Sequence, residues 1–416
     1  MTEDAAAAPS PLGWFAPGRI EVLGKHTDYA GGRSLLAAVD RGVAVHLTPA
    51  DRGITARSGA LPDAVTIEPN PGGTNSSSAP PEGHWGNYVQ TVVDRLTENF
   101  GTLAPVAITV DSNLPLASGM SSSSALVVAL AVSLAEYNGF TETQRWRSHI
   151  HSPVDLAGYL ACFENGMNFG ELTGRRGVGT FGGSEDHTAM TCATPDSLGL
   201  FSFGPITHER TLPFADDLAF VVAVSGVTAE KTGAARDLYN RAALAVTEIV
   251  RRWNDEPDLP TVTTLAQALH SDVDADAPLD RARRLLLDSP ELTRRLEAFV
   301  VESEQVIPFA VEAFATADWA AFGRAVDESQ QAASELLGNQ VPQTESLARS
   351  ARELGALAAS GFGAGFGGSV WALVTRDQAE AFAEDWLARY LVEFPLVAGL
   401  ATTLVTRPGG PIRPLD

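Results

Sequence analysis

The sequence contains few cysteines and few lysines. Cys162 and Cys192 are its two cysteines, too few for a disulfide framework, and neither stands in a spacing that predicts a zinc site. So little cysteine is typical of a reducing compartment, and we expect a cytoplasmic protein. Of the 29 basic residues, two are lysines, Lys25 and Lys231, and the rest are arginines. A lysine is therefore exceptional in this chain.

Long apolar runs and a basic charge balance are also missing. No stretch of 18 uninterrupted apolar residues occurs, and the N-terminus has neither the basic nor the apolar region of a signal peptide. We therefore expect no membrane partner and no cleaved leader. The chain carries 29 Lys+Arg against 51 Asp+Glu, a formal charge of −22, which repels nucleic acid and anionic lipid. An anionic ligand must be held by local cations and backbone dipoles, and we expect no nucleic-acid partner.

The pattern of apolar residues predicts an α+β chain without internal repeats. Its 416 residues are enough for two or three domains at roughly 100 to 200 residues each. Strands are predicted at 43–47, 106–110, 218–225 and 369–375, and helices at 85–100, 125–137, 229–253 and 377–390, with a mostly helical region at 265–357. Loops are expected at 15–32, 70–83 and 166–183, which are rich in turn residues.

Four consecutive serines, Ser121 to Ser124, stand between a predicted strand and the helix predicted at 125–137. Small residues let backbone N–H groups approach an anion, and the helix dipole adds roughly half a positive charge at that end. No GK[ST] follows, so this is not a Walker A loop. The segment predicts either a phosphate-binding turn or a serine-rich N-cap before a core helix.

A second glycine-rich turn, Gly363 to Gly368, fits the pattern GxGxxG. It precedes a predicted strand instead of following one and opening a helix, which disfavours a dinucleotide-binding oxidoreductase. A loop that packs against a bound phosphate or a neighbouring backbone is the remaining interpretation.

Ionisable residues concentrate in two turn-rich segments. The first, 15–32, holds too many of them for a purely structural loop and predicts contacts to a polyhydroxylated ligand, although a solvated surface loop is the alternative. These residues are Arg19, Glu21, Lys25, His26 and Asp28. In the second segment, Asp186 follows a pair of glycines and could serve as a general base, with Arg19 keeping it ionised. A helix-capping aspartate is the alternative.

Together these segments resemble the GHMP kinases, specifically the galactokinase branch. Residues 16–32, APGRIEVLGKHTDYAGG, are similar to that branch's GRxNxIGEHxDYxGG. Residues 114–125, LPLASGMSSSSA, are similar to LPLGSGLSSSAS, and residues 361–370, GFGAGFGGSV, to its closing GGGFGG. Residues 231–241 resemble the K-(x)-SxYNxR element, and 327–330 with 342–345 a helix and its PELD turn. The resemblance extends from about residue 14 to 375.

The resemblance implies a two-domain α+β GHMP kinase fold. Its N-terminal ribosomal-protein-S5-like domain would occupy residues 1–210 and its C-terminal ferredoxin-like α/β sandwich domain residues 211–416. The implied activity is ATP- and Mg²⁺-dependent phosphorylation of the anomeric hydroxyl of galactose or a related sugar. The partners would be the sugar and ATP, in a monomer or homodimer.

Residue roles follow from the same resemblance. Asp186 would accept the hydroxyl proton, and Arg19 would hold it ionised and stabilise developing charge. The sugar contacts would be Lys25, His26, Asp28, Gly183 and Tyr239. The nucleotide contacts would be Leu116, Ala117, Ser118, Gly119, Ser121, Ser122, Ser123, Ser124 and Gly365. Ser123 and Glu164 would bind Mg²⁺, with Glu171 as a rival to Glu164.

Departures from the family pattern bear on the substrate. Lys25 replaces a glutamate at a position expected to bond the sugar's C6 hydroxyl, so a uronic acid such as galacturonate, or a pentose such as arabinose, is an alternative substrate. Further departures are Glu21 for Asn, Ala117 for Gly, Glu185 for Met and His187 for Gln. An alternative of another class is a sugar and ATP sensor that regulates a partner protein. A pure sensor does not need the pair Asp186 and Arg19, so that pair favours an enzyme.

Overall fold

Two sheets organise the chain in the computed structural model, which describes residues 12–61, 63–67, 80–81, 83–115, 118–175, 177–227, 233–271 and 277–415. The strands are β1 Leu12–Leu23, β2 Arg33–Pro49, β3 Ile54–Ser58, β4 Val65–Ile67, β5 Val106–Ser112, β6 Ser197–Ser202, β7 Thr207–Pro213, β8 Leu218–Val224, β9 Ala358–Gly361, β10 Ser369–Thr375, β11 Thr402–Thr406 and β12 Arg413–Pro414.

Helices cover these sheets and connect their strands. They are α1 Gly86–Phe100, α2 Ser122–Tyr137, α3 Gln144–Arg147, α4 Pro153–Asn165, α5 Glu185–Cys192, α6 Gly233–Asn254, α7 Leu265–Leu269, α8 Pro278–Leu285, α9 Pro290–Phe299, α10 Ile307–Ala315, α11 Trp319–Ala332, α12 Pro342–Glu353 and α13 Ala379–Glu393. A π-helical segment, Val300–Val306, joins α9 to α10, and another, Ala333–Leu337, follows α11. Within the described residues no helix is both long and apolar enough to span a bilayer.

The first sheet has the strand order β12-β1-β2-β5-β3-β4, and β6 pairs with β2 and β7. All its pairs are antiparallel except β3 with β5. The predicted domain boundary between 210 and 211 falls inside β7, so the first sheet continues to Pro213. The chain also returns to this sheet at its end through β12 and a bridge between Val39 and Pro408. The C-terminal residues therefore belong with the N-terminal sheet.

The second sheet is antiparallel, with the order β11-β8-β10-β9. Both faces of β8 are buried, which explains its uninterrupted apolar sequence. Phe220 and Val222 join the large core shared with the first sheet, and Val221 packs on the opposite side with Trp386 of α13. The strand predicted at 369–375 and those predicted at 106–110 and 218–225 are confirmed.

The loop expected at 15–32 is wrong for its first half, which forms β1. Residues 16–23 are buried on both faces, including the charged residues Arg19 and Glu21. Charged residues are rarely buried unless they are paired, so their presence suggested a loop. In β1 the buried Arg19 and Glu21 lie near each other and near α5. Ten register pairs with β2 hold this segment in the sheet.

Helix α2 positions the serine segment. Its residues 124–135 are buried all round, and it packs against β1 and β2, so the helix lies within the core beside the first sheet. The predicted helix at 125–137 is confirmed and begins three residues earlier, at Ser122. Helices α4 and α5 pack on each other and on α2. The beginnings of α2 and α5 and the end of α4 therefore meet beside β1.

Candidate active site

A small cavity of about 40 Å³ lies where β1, the ends of these helices and the second glycine-rich turn meet. Five carboxyl groups and one guanidinium contribute to its wall: Glu21, Asp28, Glu164, Glu185, Asp186 and Arg19. The cavity is therefore acidic and polar.

Arg19 and Asp186 form a buried ion pair at its centre. Arg19 Nε and Nη2 lie 2.8 and 2.7 Å from Asp186 Oδ1, and Nη1 donates to the carbonyl of Gly119 at 2.7 Å. Burial alone would lower the pKa of Arg19, but Asp186, Glu185 and Glu21 outweigh it and raise the pKa. The guanidinium stays charged and links Asp186 to the serine segment.

Ser124 connects Asp186 to a second carboxylate. Its hydroxyl donates to Glu164 Oε1 at 2.6 Å and lies 3.1 Å from Asp186 Oδ2. His187 Nε2 is 3.4 Å from the same oxygen of Glu164. The rival Glu171 lies elsewhere, with a side chain 88% exposed near His149. Of the two glutamates, the structure brings only Glu164 to the cavity.

The start of α2 offers unsatisfied donors. Ser121 adopts left-handed backbone angles at the N-cap, and the first N–H groups of any α-helix lack intrahelical acceptors. The hydroxyls of Ser118 and Ser121 are buried without a hydrogen-bond partner among the described residues. Ser122 and Ser123 are partly exposed. Leu116 and Ala117, also predicted to bind nucleotide, lie outside the described residues.

His26 lines the cavity with both ring nitrogens engaged. Nε2 lies 3.0 Å from the carbonyl of Ala364, so it must carry the proton, and Nδ1 then accepts from the hydroxyl of Tyr29 at 2.7 Å. Burial, assisted by the nearby Arg295, lowers the pKa of His26 to about 4. The neutral ring ties the segment after β1 to the second glycine-rich turn.

Asp28 anchors the other wall. Its Oδ2 accepts from the backbone N–H of Glu185 at 3.1 Å, and Oδ1 from that of Tyr29 at 2.8 Å. Gly183 packs so closely that an added Cβ would lie 2.4 Å from Asp28 Oδ2. Tyr239 lines the cavity next to Gly182, and burial raises the pKa of its hydroxyl. The structure therefore brings Asp28, Gly183 and Tyr239, the predicted sugar contacts, to the same cavity.

Glu21 and Glu185 form a second buried acidic pair. Burial raises the pKa of Glu21 to about 7, against the lowering effect of Arg19 and Lys25. Burial, together with Glu21 and Asp28, also raises the pKa of Glu185. Glu185 Oε2 accepts from the Ser34 hydroxyl at 2.7 Å. The two carboxyl groups are close enough to share a hydrogen bond, which requires that one of them carries a proton.

Comparisons with known proteins place related sequences along most of the chain. The family described as GHMP kinases N terminal domain matches residues 87–157, the galactokinase galactose-binding signature matches 3–49, and the GHMP kinases C terminal family matches 310–392. The chain is 26% identical over 382 residues to a galactokinase of Thermococcus kodakarensis, covering 92% of this chain and 94% of that protein. It is 27% identical over 376 residues to a galactokinase of Mycobacterium tuberculosis, covering 90% and 92%.

The fold has solved counterparts. Lactococcus lactis galactokinase, crystallised with galactose, matches with a TM-score of 0.77 at 20% identity over 98% of this chain and 96% of that one. Mevalonate kinase of L. major, crystallised with R-mevalonate, matches with a TM-score of 0.58 at 15% identity over 99% and 100%. The chain belongs to the GHMP kinase superfamily, in its galactokinase branch. Members of this branch are phosphotransferases with an alcohol acceptor, and so is this chain.

The placement of Lys25 in this GHMP kinase differs from the sequence prediction. Its ammonium donates to the Ser329 hydroxyl of α11 at 2.7 Å, the residue is 4% exposed, and it does not line the cavity. The backbone N–H groups of Gly24 and Lys25 donate to Glu302 Oε1, which turns the chain after β1. The expectation that Lys25 faces the sugar is therefore corrected, because its side chain runs toward α11.

The second glycine-rich turn contacts the site through other residues than the predicted Gly365. Gly365 packs on Asn339, where an added Cβ would lie 2.4 Å from the carbonyl oxygen, and it does not line the cavity. Gly363 and Ala364 do line it. An added Cβ on Gly363 would lie 3.0 Å from the carbonyl of Gly119, so this turn packs on the serine segment.

Several site residues of this GHMP kinase escaped sequence analysis. Asn240 receives the N–H of Phe181 and donates to the carbonyl of Gly179, which fixes the loop before α5. Its place beside Tyr239 in the YN element was the available signal. Thr180 lines the cavity with a hydroxyl that is unpartnered among the described residues, and no local pattern marked it. Lys231, the other lysine, lies outside the described residues.

Proposed function

We propose that this GHMP kinase transfers the γ-phosphoryl group of ATP to the anomeric hydroxyl of galactose. The observation that carries the proposal is the chain of contacts from Arg19 through Asp186 and Ser124 to Glu164, at the start of α2. It places a fixed carboxylate beside the unsatisfied donors at a helix N-terminus. The similarity to galactokinases supports galactose as the acceptor.

Asp186 is proposed as the base. One carboxylate oxygen, Oδ1, is occupied by Arg19, while Oδ2 faces Ser124 at the longer distance of 3.1 Å. The ion pair favours the ionised form of Asp186, which can accept the hydroxyl proton at Oδ2. Arg19 remains charged and stabilises negative charge that develops on the transferred group.

The start of α2 is proposed to hold the phosphates of ATP. The hydroxyls of Ser118 and Ser121 lack partners among the described residues, and the helix N-terminus presents N–H groups and a positive dipole. Ser122 and Ser123 are partly exposed beside them and are further candidates. Arg19, bonded to the carbonyl of Gly119, holds the proposed base next to this segment.

The residues present also fit Mg²⁺. Glu164 offers a carboxylate and Ser123 a partly exposed hydroxyl, and kinase sites typically hold this ion with one or two carboxylates plus substrate phosphates. Within the described residues no cluster of three His, Cys, Asp or Glu side chains could bind a metal ion unaided. When bound, Mg²⁺ would neutralise charge on the phosphate oxygens. The direct bond from Ser124 to Glu164 keeps that carboxylate oriented.

The alternatives for the acceptor gain no support from the contacts. A uronic acid was suggested by Lys25, but the ammonium of Lys25 is bonded to Ser329 and the cavity wall is acidic. No contact among the residues that the structure describes favours a pentose over a hexose. A sensor of sugar and ATP would not need the buried pair of Arg19 and Asp186.

A coupled ADP-release assay tests the proposal with ATP and Mg²⁺ over galactose, galacturonate, arabinose, glucuronate and mevalonate, with the phosphorylated position found by ³¹P NMR. Asp186→Asn keeps the shape and an acceptor for Arg19 but removes the base, so kcat should fall about 10²- to 10⁴-fold. The dissociation constant of the sugar should change little. Asp385→Asn, on the exposed side of α13, is the matched control. A kcat within tenfold of the unsubstituted enzyme would show that Asp186 is not the base.

A further inference from the structure

Arg295 of α9 is a buried guanidinium that lies outside the cavity and has no part in the proposed mechanism. The residue is 5% exposed and does not line the cavity. Its Nη2 donates to the backbone carbonyl of His26 at 2.6 Å and to the hydroxyl of Tyr29 at 3.2 Å. Its Nε lies 3.4 Å from the carbonyl of Ala242 in α6. Arg295 therefore ties α6 and α9 to the segment that follows β1.

The hydrogen bonds beyond Arg295 run in one direction. Because a guanidinium only donates, the Tyr29 oxygen accepts from Arg295, and the Tyr29 proton is left to donate to Nδ1 of His26, 2.7 Å away. Nε2 of His26 then carries the ring proton and donates to the carbonyl of Ala364 at 3.0 Å. The guanidinium carbon of Arg295 also lies 5.6 Å from the centre of the Tyr29 ring, a cation–π contact. These contacts support one orientation of the His26 ring.

The backbone of His26 also requires support. Its φ is 58°, in the left-handed region, which is unfavourable for a residue with a Cβ. Such a conformation persists only where the surrounding structure holds it. The contact of Arg295 to the carbonyl of His26 is shorter than its contacts to Tyr29 and Ala242, and a charged donor makes the stronger kind of hydrogen bond. Arg295 therefore holds both the backbone and the ring of this residue.

The ring of His26 stands between Arg295 and the cavity. It lines the cavity together with Tyr239, and the centres of the two rings are 5.0 Å apart. Tyr29 packs edge-on against both rings, at 5.8 Å from His26 and 6.1 Å from Tyr239. Neither Tyr29 nor Arg295 lines the cavity itself. A change at Arg295 therefore reaches a bound ligand through these rings.

We infer that Arg295 is a positioning residue for sugar binding, which holds His26 in the cavity wall through the His26 carbonyl and the Tyr29 hydroxyl. The inference rests on the proposed function, because it concerns how the sugar side of the same cavity keeps its shape. Loss of Arg295 releases the backbone and the ring of His26 together, so sugar affinity falls. Among the described residues, Arg295 makes no hydrogen bond to the start of α2, so the affinity for ATP is retained.

Equilibrium binding tests the inference in four proteins: the unsubstituted enzyme, Arg295→Met, His26→Asn and the double variant. By calorimetry, the dissociation constant of galactose should rise about tenfold in Arg295→Met, because small displacements in a site have large effects. That of a non-hydrolysable ATP analogue should stay within about twofold, whereas general loss of structure would weaken both ligands. In the His26→Asn background, Arg295→Met should add less than about twofold, because both changes act through one ring. An equal rise in both backgrounds, or a rise below about twofold in the first, would overturn the inference.

NMR of the histidine rings tests the placement of His26 without any sugar. Long-range ¹H–¹⁵N correlations give the ring signals of His26, identified by their loss in His26→Asn. These signals should shift in Arg295→Met and stay in place in Arg294→Met, the matched control, which changes an exposed arginine of the same helix. Unchanged His26 signals in Arg295→Met would overturn the inference, whatever the sugar affinity.

A second variant and a parallel assay separate this outcome from misfolding and from failure of the proposed function. Arg295→Lys keeps a buried charged donor but loses the planar fork, so it serves if Arg295→Met does not fold, as judged by circular dichroism and Tm. Its His26 signals and galactose affinity should change in the same direction by less, and unchanged signals would again overturn the inference. Absence of phosphoryl transfer to galactose in the unsubstituted enzyme would refute the proposed function, and the NMR signals would still decide the role of Arg295.

Discussion

Lys25 and Glu21 are buried opposite charges, and their coupling can be measured. Both side chains are at most 4% exposed, and Lys25 lowers the pKa of Glu21, which burial raises to about 7. Lys25→Met keeps the length of the side chain and removes the charge. Without the Lys25 charge, Glu21 can become neutral by binding a proton. The part of the unfolding free energy that depends on the interaction of Lys25 with Glu21 therefore cannot exceed the free energy of protonating Glu21.

This limit depends on pH in a defined way. A carboxyl group with a raised folded-state pKa makes the protein less stable as pH rises from about 4.5 to 7, and in Lys25→Met the loss should continue above pH 7. With a pKa of about 7, protonating Glu21 requires less than about 0.5 kcal/mol at pH 7 and about 3 kcal/mol at pH 9. The coupling free energy between the two residues should therefore be near zero at pH 6 and largest at pH 9.

Urea unfolding of four proteins measures this coupling: the unsubstituted enzyme, Lys25→Met, Glu21→Gln and the double variant. The double-mutant cycle removes pH effects of other groups and the loss of the bond from Lys25 to Ser329, since that bond is lost in both Lys25→Met proteins. A coupling above about 1 kcal/mol at pH 6, or none at pH 9, would refute the reasoning.

Three further predictions concern single residues. Gly183→Ala places a Cβ 2.4 Å from Asp28 Oδ2 and 2.9 Å from the backbone nitrogen of Tyr29, so sugar affinity should fall at least about tenfold by calorimetry, whereas Gly399→Ala, with no atom within 4 Å, should not change it. His26 has a positive φ, which asparagine tolerates, so His26→Asn keeps the backbone and removes the imidazole. Because the pKa of His26 is lowered to about 4 in the folded protein, the unsubstituted enzyme should lose about 2 to 3 kcal/mol more unfolding free energy than this variant between pH 7 and pH 4.5, as measured by urea titrations. Equal losses in the two proteins would contradict a neutral His26 ring. Ser124→Ala removes the donor to Glu164 and should lower kcat about tenfold with the sugar KM unchanged in steady-state assays, while Ser133→Ala on the same helix should leave kcat unchanged.

The sequence predicted correctly those helices and strands whose apolar residues follow one regular pattern of burial along the whole element. The run at 369–375 is buried on both faces of the second sheet, and residues 86–100 keep one apolar face on the core, so both were located to within a residue or two. β1 was missed because its burial depends on partners far along the chain. Arg19 meets Asp186 across 167 residues, and no local pattern reports that contact.

The same limit applies to the site. Motif order identified Arg19, Asp186 and Glu164 as residues that belong together, and the structure places them in one network through Ser124. The sequence could not predict the direction of each side chain, because the side chain of a residue just after a strand can point to either side of the turn. Lys25 illustrates this: its backbone is held by Glu302, which sends its ammonium to α11 instead of the cavity.

The formal charge of −22 raises the question of how this chain can bind an anion. Five carboxyl groups contribute to the cavity wall, so within the described residues the positive potential available to a phosphate comes from the guanidinium of Arg19, which is paired with Asp186, and from the start of α2. Helix dipoles and N–H groups act over about one turn and add no net charge. They can therefore hold an anion although the cavity wall is acidic, because the N–H groups donate directly to the anion while the carboxyl groups of the wall lie on other elements of the fold.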